Sequence, residues 1–192
     1  MPRTRTFIAV DIAKGMREHA VALQESIAKS GAGVKWATPE SMHVTLLFLG
    51  EVDDRDLPAI CRAVQEATER EPPFTLRVSG VGAFPNMRRP KILWAGITEG
   101  KESLQRLYGD IETRLLDLRL YRKEERGYTP HLTLGRVRGE SDGSMLAPEI
   151  ARRSAWDGGS TTVDEVVVFG SELARDGPVY TVIGRGALKG IG

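Results

Sequence analysis

The sequence predicts an α+β protein with mainly antiparallel sheets and two lobes. Helix-like and strand-like segments are mixed along the 192 residues, and strand segments often follow one another as hairpin neighbours, which favours α+β over a doubly wound parallel sheet. A second observation is a short internal repeat, because the tetrad HVTL begins at His43 and the tetrad HLTL begins at His131. Their separation of 88 positions is too large for a solenoid repeat and fits one unit in each lobe. We therefore expect residues 1–192 to form a single bilobal domain.

In the first half of the chain, apolar residues at helical spacing indicate helices and short apolar runs indicate strands. Helical spacing runs from Met16 to Ile27, and Gly31 stops that helix. Acidic residues open the second helix, where they favour an N-terminus, and FPNMRRP is a loop rich in turn formers. The predicted elements are a strand over 5–12, a helix over 14–30, a turn or one helical turn at TPES, a strand over 43–50, a helix over 54–70, and strands over 74–82 and 90–98.

The second half continues the same alternation of helices and strands. A third helix is followed by a basic, glycine-containing loop that leads into the second tetrad. The predicted elements here are a helix over 101–118, a strand over 130–138, a short helix near 147–155, and strands near 162–169 and 178–188. No linker or low-complexity segment divides the chain.

Composition limits the classes of function. The net charge of +1 lacks the broad basic footprint of long-duplex binders, so any contact with nucleic acid should be local. Cys61 is the only cysteine and lies in a helical pattern, which excludes a disulfide framework within the chain and suits a reducing compartment. The start, MPRTRTFIAVDI, has no signal-peptide core, and no apolar run approaches a membrane span. We expect a cytoplasmic protein.

Each tetrad places an imidazole beside a hydroxyl. Alternate residues of a strand share a face, so His43 projects with Thr45 and His131 with Thr133, while the intervening apolar residues point into a core. In-line displacement at phosphorus needs a base on one side and an acid on the other. Two facing strands can supply both, because histidine suits either role, and the threonines can donate to the non-bridging oxygens.

A structural role for the histidines is the alternative, and it is our interpretation of His19, which has no threonine or cysteine near it. A metal site is disfavoured because the sequence has no HExxH, no cysteine pair and no third histidine placed to join the tetrads. We therefore expect chemistry that needs no metal and no cofactor.

The two tetrads and their surroundings resemble the 2H phosphoesterase superfamily, and within it the RNA 2′,3′-cyclic phosphodiesterase family, also described as 2′-5′ RNA ligase. The likeness extends over nearly the whole chain, through TFIAVDI, VKWATPESMHVTLLFLGEV, FPNMRRPKILWAGI and GYTPHLTLGRVR, with a looser match at YTVIGRGAL. It implies a bilobal fold with pseudo-two-fold symmetry, in which antiparallel sheets line a central cleft and the helices lie outside.

The resemblance also implies roles for individual residues. It makes His43 the proton donor and His131 the acceptor, an assignment that the sequence alone leaves open, and it gives phosphate binding to Thr45 and Thr133. Arg136 matches a family arginine near the phosphate, but strict alternation puts it on the face opposite His131 unless the strand bulges or ends near Gly135. The candidates for base stacking, each of which could equally be core, are Phe7, Trp36 and Phe84.

The function expected from the resemblance is hydrolysis of a terminal 2′,3′-cyclic phosphate to a 2′-phosphomonoester, with reversible 2′-5′ RNA ligation at the same site when an RNA 5′-hydroxyl replaces water. The expected partners are RNA 3′ ends that carry the cyclic phosphate, with tRNA fragments among them, and we expect a monomer without a membrane partner. Two alternatives stay open: an enzyme for another cyclic phosphate or a 2′-5′ oligonucleotide, and a non-catalytic module that binds RNA ends. The intact pair of tetrads argues against the module, since binding alone needs neither acid nor base.

Overall fold

The computed structural model describes residues 2–175 and 177–190 and combines helices with one large sheet. Its helices are α1 (Lys14–Ala28), α2 (Leu57–Thr68), α3 (Lys101–Asp117) and α4 (Glu140–Ala151). Its strands are β1 (Arg3–Val10), β2 (Val34–Trp36), β3 (Val44–Asp53), β4 (Phe74–Phe84), β5 (Ile92–Glu99), β6 (His131–Val137), β7 (Asp157–Val163), β8 (Glu165–Ala174) and β9 (Gly177–Ala187). TPES contributes a single 3-10 turn, Pro39–Ser41.

The sheet has two similar halves that meet at the tetrad strands. Its order is β7-β4-β5-β6-β3-β1-β8-β9, with β2 added beside β6, and each pairing among the described strands is antiparallel. β6 heads one run of four strands and β3 heads the other, so the two tetrads lie side by side at the centre. The predicted α+β class with antiparallel sheets is confirmed.

Helices cover one face of this sheet and close a continuous apolar core. α2 packs on β8 and β9, α1 packs on β7, and α4 packs on β4 and β6. The apolar stripe predicted for α1 is buried from Met16 to Ile27, and the inward residues of the tetrads, Val44 and Leu132, join the same core. Burial of this apolar surface stabilises the sheet. Because side chains alternate along a strand, the opposite face of β3 and β6 is left for polar side chains.

Two sequence expectations about elements were wrong, and one strand was missed. The last helix covers Glu140–Ala151 instead of 147–155, because Gly139 is extended and acidic residues follow in the first helical turn. The single strand near 162–169 is two strands that break at Asp164, because β7 pairs with β4 whereas β8 pairs with β1. β2 was missed, since three residues carry too little periodicity to predict a strand.

Across residues 2–175 and 177–190, no helix has the length and apolar composition that a membrane crossing requires.

Candidate active site

The register between β3 and β6 sets each histidine against the threonine of the other tetrad. Val44 pairs with Leu132 in this antiparallel ladder. One residue further in each direction, the register puts His43 opposite Thr133 and Thr45 opposite His131. Cβ atoms of directly opposed residues lie about 4.5–5.5 Å apart. The four side chains predicted from the tetrads therefore form one compact group on the face away from the core.

This group forms the floor of a cationic cleft. The cleft has a volume of about 450 Å³ and is lined by both histidines and both threonines. Among the described residues that line it, three are basic and none is acidic, although the whole chain carries a net charge of only +1. The basic residues are Arg5, Lys35 and Arg136. An anion such as a phosphate diester is the ligand that this charge distribution favours.

A β-bulge turns Arg136 into the cleft. Leu93 of β5 pairs with Gly135 and Trp94 pairs with Thr133, so Leu134 has no partner on β5. A Cβ on Gly135 would lie 2.7 Å from Cγ1 of Val34, so the tight packing against β2 requires glycine. The strand therefore bulges near Gly135, which is one of the two conditions under which Arg136 could leave strict alternation, and Arg136 lines the cleft.

Aromatic rings pack on the His43 imidazole. Phe7 is 3% exposed and stacks on His43 with 4.7 Å between ring centroids, while Tyr180 meets the imidazole edge-on at 5.3 Å. Phe169 lies on Phe7 at 5.1 Å. Phe7, a candidate for base stacking, is therefore stacked between other rings, and its contact with His43 fixes the plane of the imidazole.

His131 has a similar environment in the other half of the sheet. Phe84 meets its ring edge-on at 4.9 Å, and Trp94 lies 6.5 Å away. Trp94 stands on β5, which flanks β6 in the sheet order as β1 flanks β3. Trp36, the third stacking candidate, lines the cleft from β2. Each imidazole thus contacts aromatic rings from its own half of the sheet.

Burial keeps both histidines neutral in the free protein. Desolvation lowers the pKa of His43 to about 4, an effect that Asp11 opposes and Arg17 reinforces. Desolvation also lowers the pKa of His131, against a smaller raising effect of the Thr129 carbonyl. Neutral imidazoles surrounded by cationic side chains are poised to take up protons when an anion binds.

A backbone contact fixes the tautomer of His131. Nδ1 lies 2.7 Å from the carbonyl oxygen of Thr129, and because a carbonyl can only accept, Nδ1 carries the proton and donates it. The neutral ring then presents the lone pair of Nε2. A free Nε2 lone pair is what a general base needs.

Sequence reasoning missed Arg17, which anchors the chain just before His43. Its guanidinium donates to the carbonyl oxygens of Ile12 at 2.5 Å, Pro39 at 3.0 Å and Met42 at 3.3 Å, and it also pairs with Asp11. These bonds join α1 to the 3-10 turn and hold the backbone from which His43 projects. No local pattern reveals them, because the acceptors are main-chain groups up to 25 residues away.

Gln24 and Tyr128 were missed as well, and they support the tetrads from behind. The buried amide of Gln24 donates to the carbonyl oxygens of Ala37 at 2.9 Å and Leu134 at 2.8 Å, which ties α1 to the bulge. The hydroxyl of Tyr128 donates to the carbonyl oxygen of Thr45 at 3.0 Å. Tyr128 lies within GYTPHLTL, but its acceptor in the other tetrad is 83 residues away.

Other candidates lie outside the cleft. Nδ1 of His19 lies 3.2 Å from the carbonyl oxygen of Gly158, between α1 and β7, which fits a structural role. Cys61 is half-buried under Gly184. Within the part of the chain that the structure describes, no three His, Cys, Asp or Glu side chains group together as metal ligands would.

Comparison with known proteins supports this geometry. The model of the family described as LigT like phosphoesterase matches residues 10–94 and 96–180, one segment around each tetrad. The chain belongs to the LigT-like phosphoesterase family. This membership confirms the resemblance to 2H phosphoesterases that the tetrads carry.

Curated relatives and solved structures of the family match along almost the whole chain. The RNA 2′,3′-cyclic phosphodiesterase of Methanothermobacter thermautotrophicus is 35% identical over 179 residues, covering 93% of this chain and 96% of the relative. The protein of that name from Archaeoglobus fulgidus is 34% identical over 176 residues, covering 92% and 96%. The crystal structure of TT0787 of Thermus thermophilus has a TM-score of 0.82 at 28% identity and covers 98% of this chain and 100% of that one.

Proposed function

We propose that this protein hydrolyses the 2′,3′-cyclic phosphate at RNA 3′ ends and leaves a 2′-phosphomonoester. The observation that carries the proposal is the β3–β6 register, which opposes His43 to Thr133 and Thr45 to His131 across a cationic cleft. The names of the curated relatives, RNA 2′,3′-cyclic phosphodiesterase, supply the substrate. An acid and a base on opposite sides of one phosphate are what in-line displacement requires.

In the proposed reaction, Nε2 of His131 accepts a proton from water while the water oxygen bonds to phosphorus. The bond from phosphorus to O3′ breaks on the opposite side, and His43 gives its proton to that oxygen. The products are a 2′-phosphate and a free 3′-hydroxyl. The Nδ1 contact of His131 with the Thr129 carbonyl supports the base role, because it leaves Nε2 as the acceptor.

The phosphate oxygens would be held by the remaining members of the group. Thr45 and Thr133 donate hydrogen bonds to the non-bridging oxygens, and Arg136 adds a positive charge. The bound phosphate anion also raises the pKa of His43, so substrate binding supplies the conditions under which the acid holds its proton. With an RNA 5′-hydroxyl in place of the attacking water, the same site would form a 2′-5′ bond as the bond from phosphorus to O3′ breaks.

The proposal also covers the oligomeric state, the location and the RNA partner. We expect a monomer, formed by a single bilobal domain, that works in the cytoplasm on RNA 3′ ends, tRNA fragments included. The cationic cleft supports an RNA ligand, and the one cysteine suits a reducing compartment.

The test is product analysis with a dinucleotide that ends in a 2′,3′-cyclic phosphate. Phosphorus NMR should show the 2′-monoester alone, and His43→Ala and His131→Ala should each lower turnover about 10²–10⁴-fold. His19→Ala is the matched control, since it removes a histidine outside the cleft, and it should keep wild-type turnover. A pure 3′-monoester would reverse the proposed orientation of the ribose, and a folded His43→Ala variant with most of its activity would return His43 to a structural role.

A further inference from the structure

The outer wall of the cleft on β1, β3 and β8 carries side chains that the proposed reaction does not use. Phe48 is 43% exposed and Leu173 is 80% exposed, yet both line the cleft. Arg5 lines the same wall. Large apolar groups left open beside a binding cleft indicate a surface that a ligand covers.

Arg5 and Phe48 form one unit. The Arg5 guanidinium carbon lies 5.0 Å from the centroid of the Phe48 ring, which is cation–π geometry. Phe48 pairs directly with Phe7 in the β1–β3 ladder. Arg5 is two residues before Phe7 on the same strand and therefore lies about 7 Å further out on the same face. Since Phe7 stacks on His43, the Arg5–Phe48 pair lies just beyond Phe7 on the side away from the catalytic imidazole.

The chemistry of this wall fits a nucleotide. Single-stranded RNA is bound by stacking its bases on aromatic rings or on the guanidinium plane of arginine, and a cation beside the ring can hold the phosphate that links two nucleotides. Ser171 stands opposite Arg5 on β8 and adds a hydroxyl donor. A stacking platform of this kind tolerates any base, because every base has a π-face.

We propose that Arg5, Phe48 and Leu173 form a subsite for the nucleotide that precedes the cyclic-phosphate nucleotide. The inference rests on the proposed function, since it takes the cyclic phosphate to lie between the tetrads. The preceding nucleotide is joined to that ribose through a phosphodiester, so it extends from the cleft floor along a wall. The enzyme should then prefer RNA ends of two or more nucleotides to a mononucleoside cyclic phosphate.

The experiment compares two substrates that share the same terminal nucleoside: a mononucleoside 2′,3′-cyclic phosphate and a dinucleotide that ends in it. The wild-type protein should show a kcat/KM ratio of about 10 or more in favour of the dinucleotide. Phe48→Ala and Arg5→Ala should each move this ratio toward one. Leu118→Ala removes a side chain of similar exposure, 49%, outside the cleft, and should keep the wild-type ratio.

A second measurement separates failure of the subsite from failure of the proposed function. Calorimetry should give the ratio of dissociation constants for a 2′-phosphorylated dinucleotide and a nucleoside 2′-phosphate, with folding of each variant checked by circular dichroism. Lack of turnover on both substrates would contradict the proposed function, while a tighter dinucleotide complex that weakens in Phe48→Ala would still support the subsite. A ratio near one in the wild-type protein would overturn it. So would a preference that is lost in Lys35→Ala and kept in Phe48→Ala, since Lys35 stands on the opposite wall beside Arg136.

Discussion

Raising the pH from 6.5 to 8.5 should lower kcat/KM, because His43 must carry a proton to act as the acid. Its pKa of about 4 lies three units below neutrality, so about one free molecule in a thousand holds that proton at pH 7. His131 also has a lowered pKa and is largely neutral above pH 6.5. kcat/KM follows the ionisation of the free enzyme, so it should fall about tenfold per pH unit, and about 50- to 100-fold across this range.

The assay measures initial rates at substrate concentrations well below KM, at constant ionic strength, with the alkaline hydrolysis of the cyclic phosphate subtracted. kcat should vary less than kcat/KM, since the bound phosphate raises the pKa of both imidazoles. A kcat/KM that stays flat or rises from pH 6.5 to pH 8.5 would refute the reasoning, because it requires an acid whose pKa is not lowered.

The shape of this profile alone does not tell which histidine is the acid, because the product of one protonated and one neutral group is the same for both assignments. The residual activity of His131→Ala makes the distinction. It should still fall as the pH rises, since His43 supplies the proton in the proposed reaction. A residual rate that increases through the pKa of His43 would exchange the two roles.

Three further outcomes are expected. Gln24→Leu removes the buried amide and leaves the Ala37 carbonyl without this donor, so urea denaturation should show that the free energy of unfolding falls by about 2 kcal/mol. The control Gln105→Leu, on the exposed face of α3, should change it by less than about 0.5 kcal/mol. Equal effects of the two substitutions would contradict a stabilising role for the Gln24 hydrogen bonds. Tyr128→Phe loses the bond to the Thr45 carbonyl, so kcat should fall with little change in KM, and an unchanged kcat would make that bond irrelevant to the tetrads. Exhaustive chelation should leave the rate within a few-fold of the rate before chelation. A near-total loss of activity that one divalent metal restores would contradict the proposed mechanism.

Much of the local structure could be predicted because it depends on near neighbours in the chain. The alternation of His43, Val44 and Thr45 fixes which side chains share a face in any strand, and the same holds for the second tetrad. The helical spacing of apolar residues likewise located α1 and its buried side. Even the bulge could be stated as a condition, because glycine at 135 permits a break in alternation that Arg136 needs in order to reach the cleft.

Packing between distant segments determined the rest. Nothing near residue 43 specifies that β3 lies beside β6, so the opposition of His43 to Thr133 depends on how all the strands order themselves. The break at Asp164 has the same origin, since β7 and β8 belong to different halves. The low pKa of His43 arises from burial among rings that come from β1, β8 and β9. The sequence of a tetrad determines which side chains share a face of the strand. The distance between the two tetrads depends on strand register, and the protonation of the histidines depends on desolvation. Register and desolvation are both set by residues far away in the sequence.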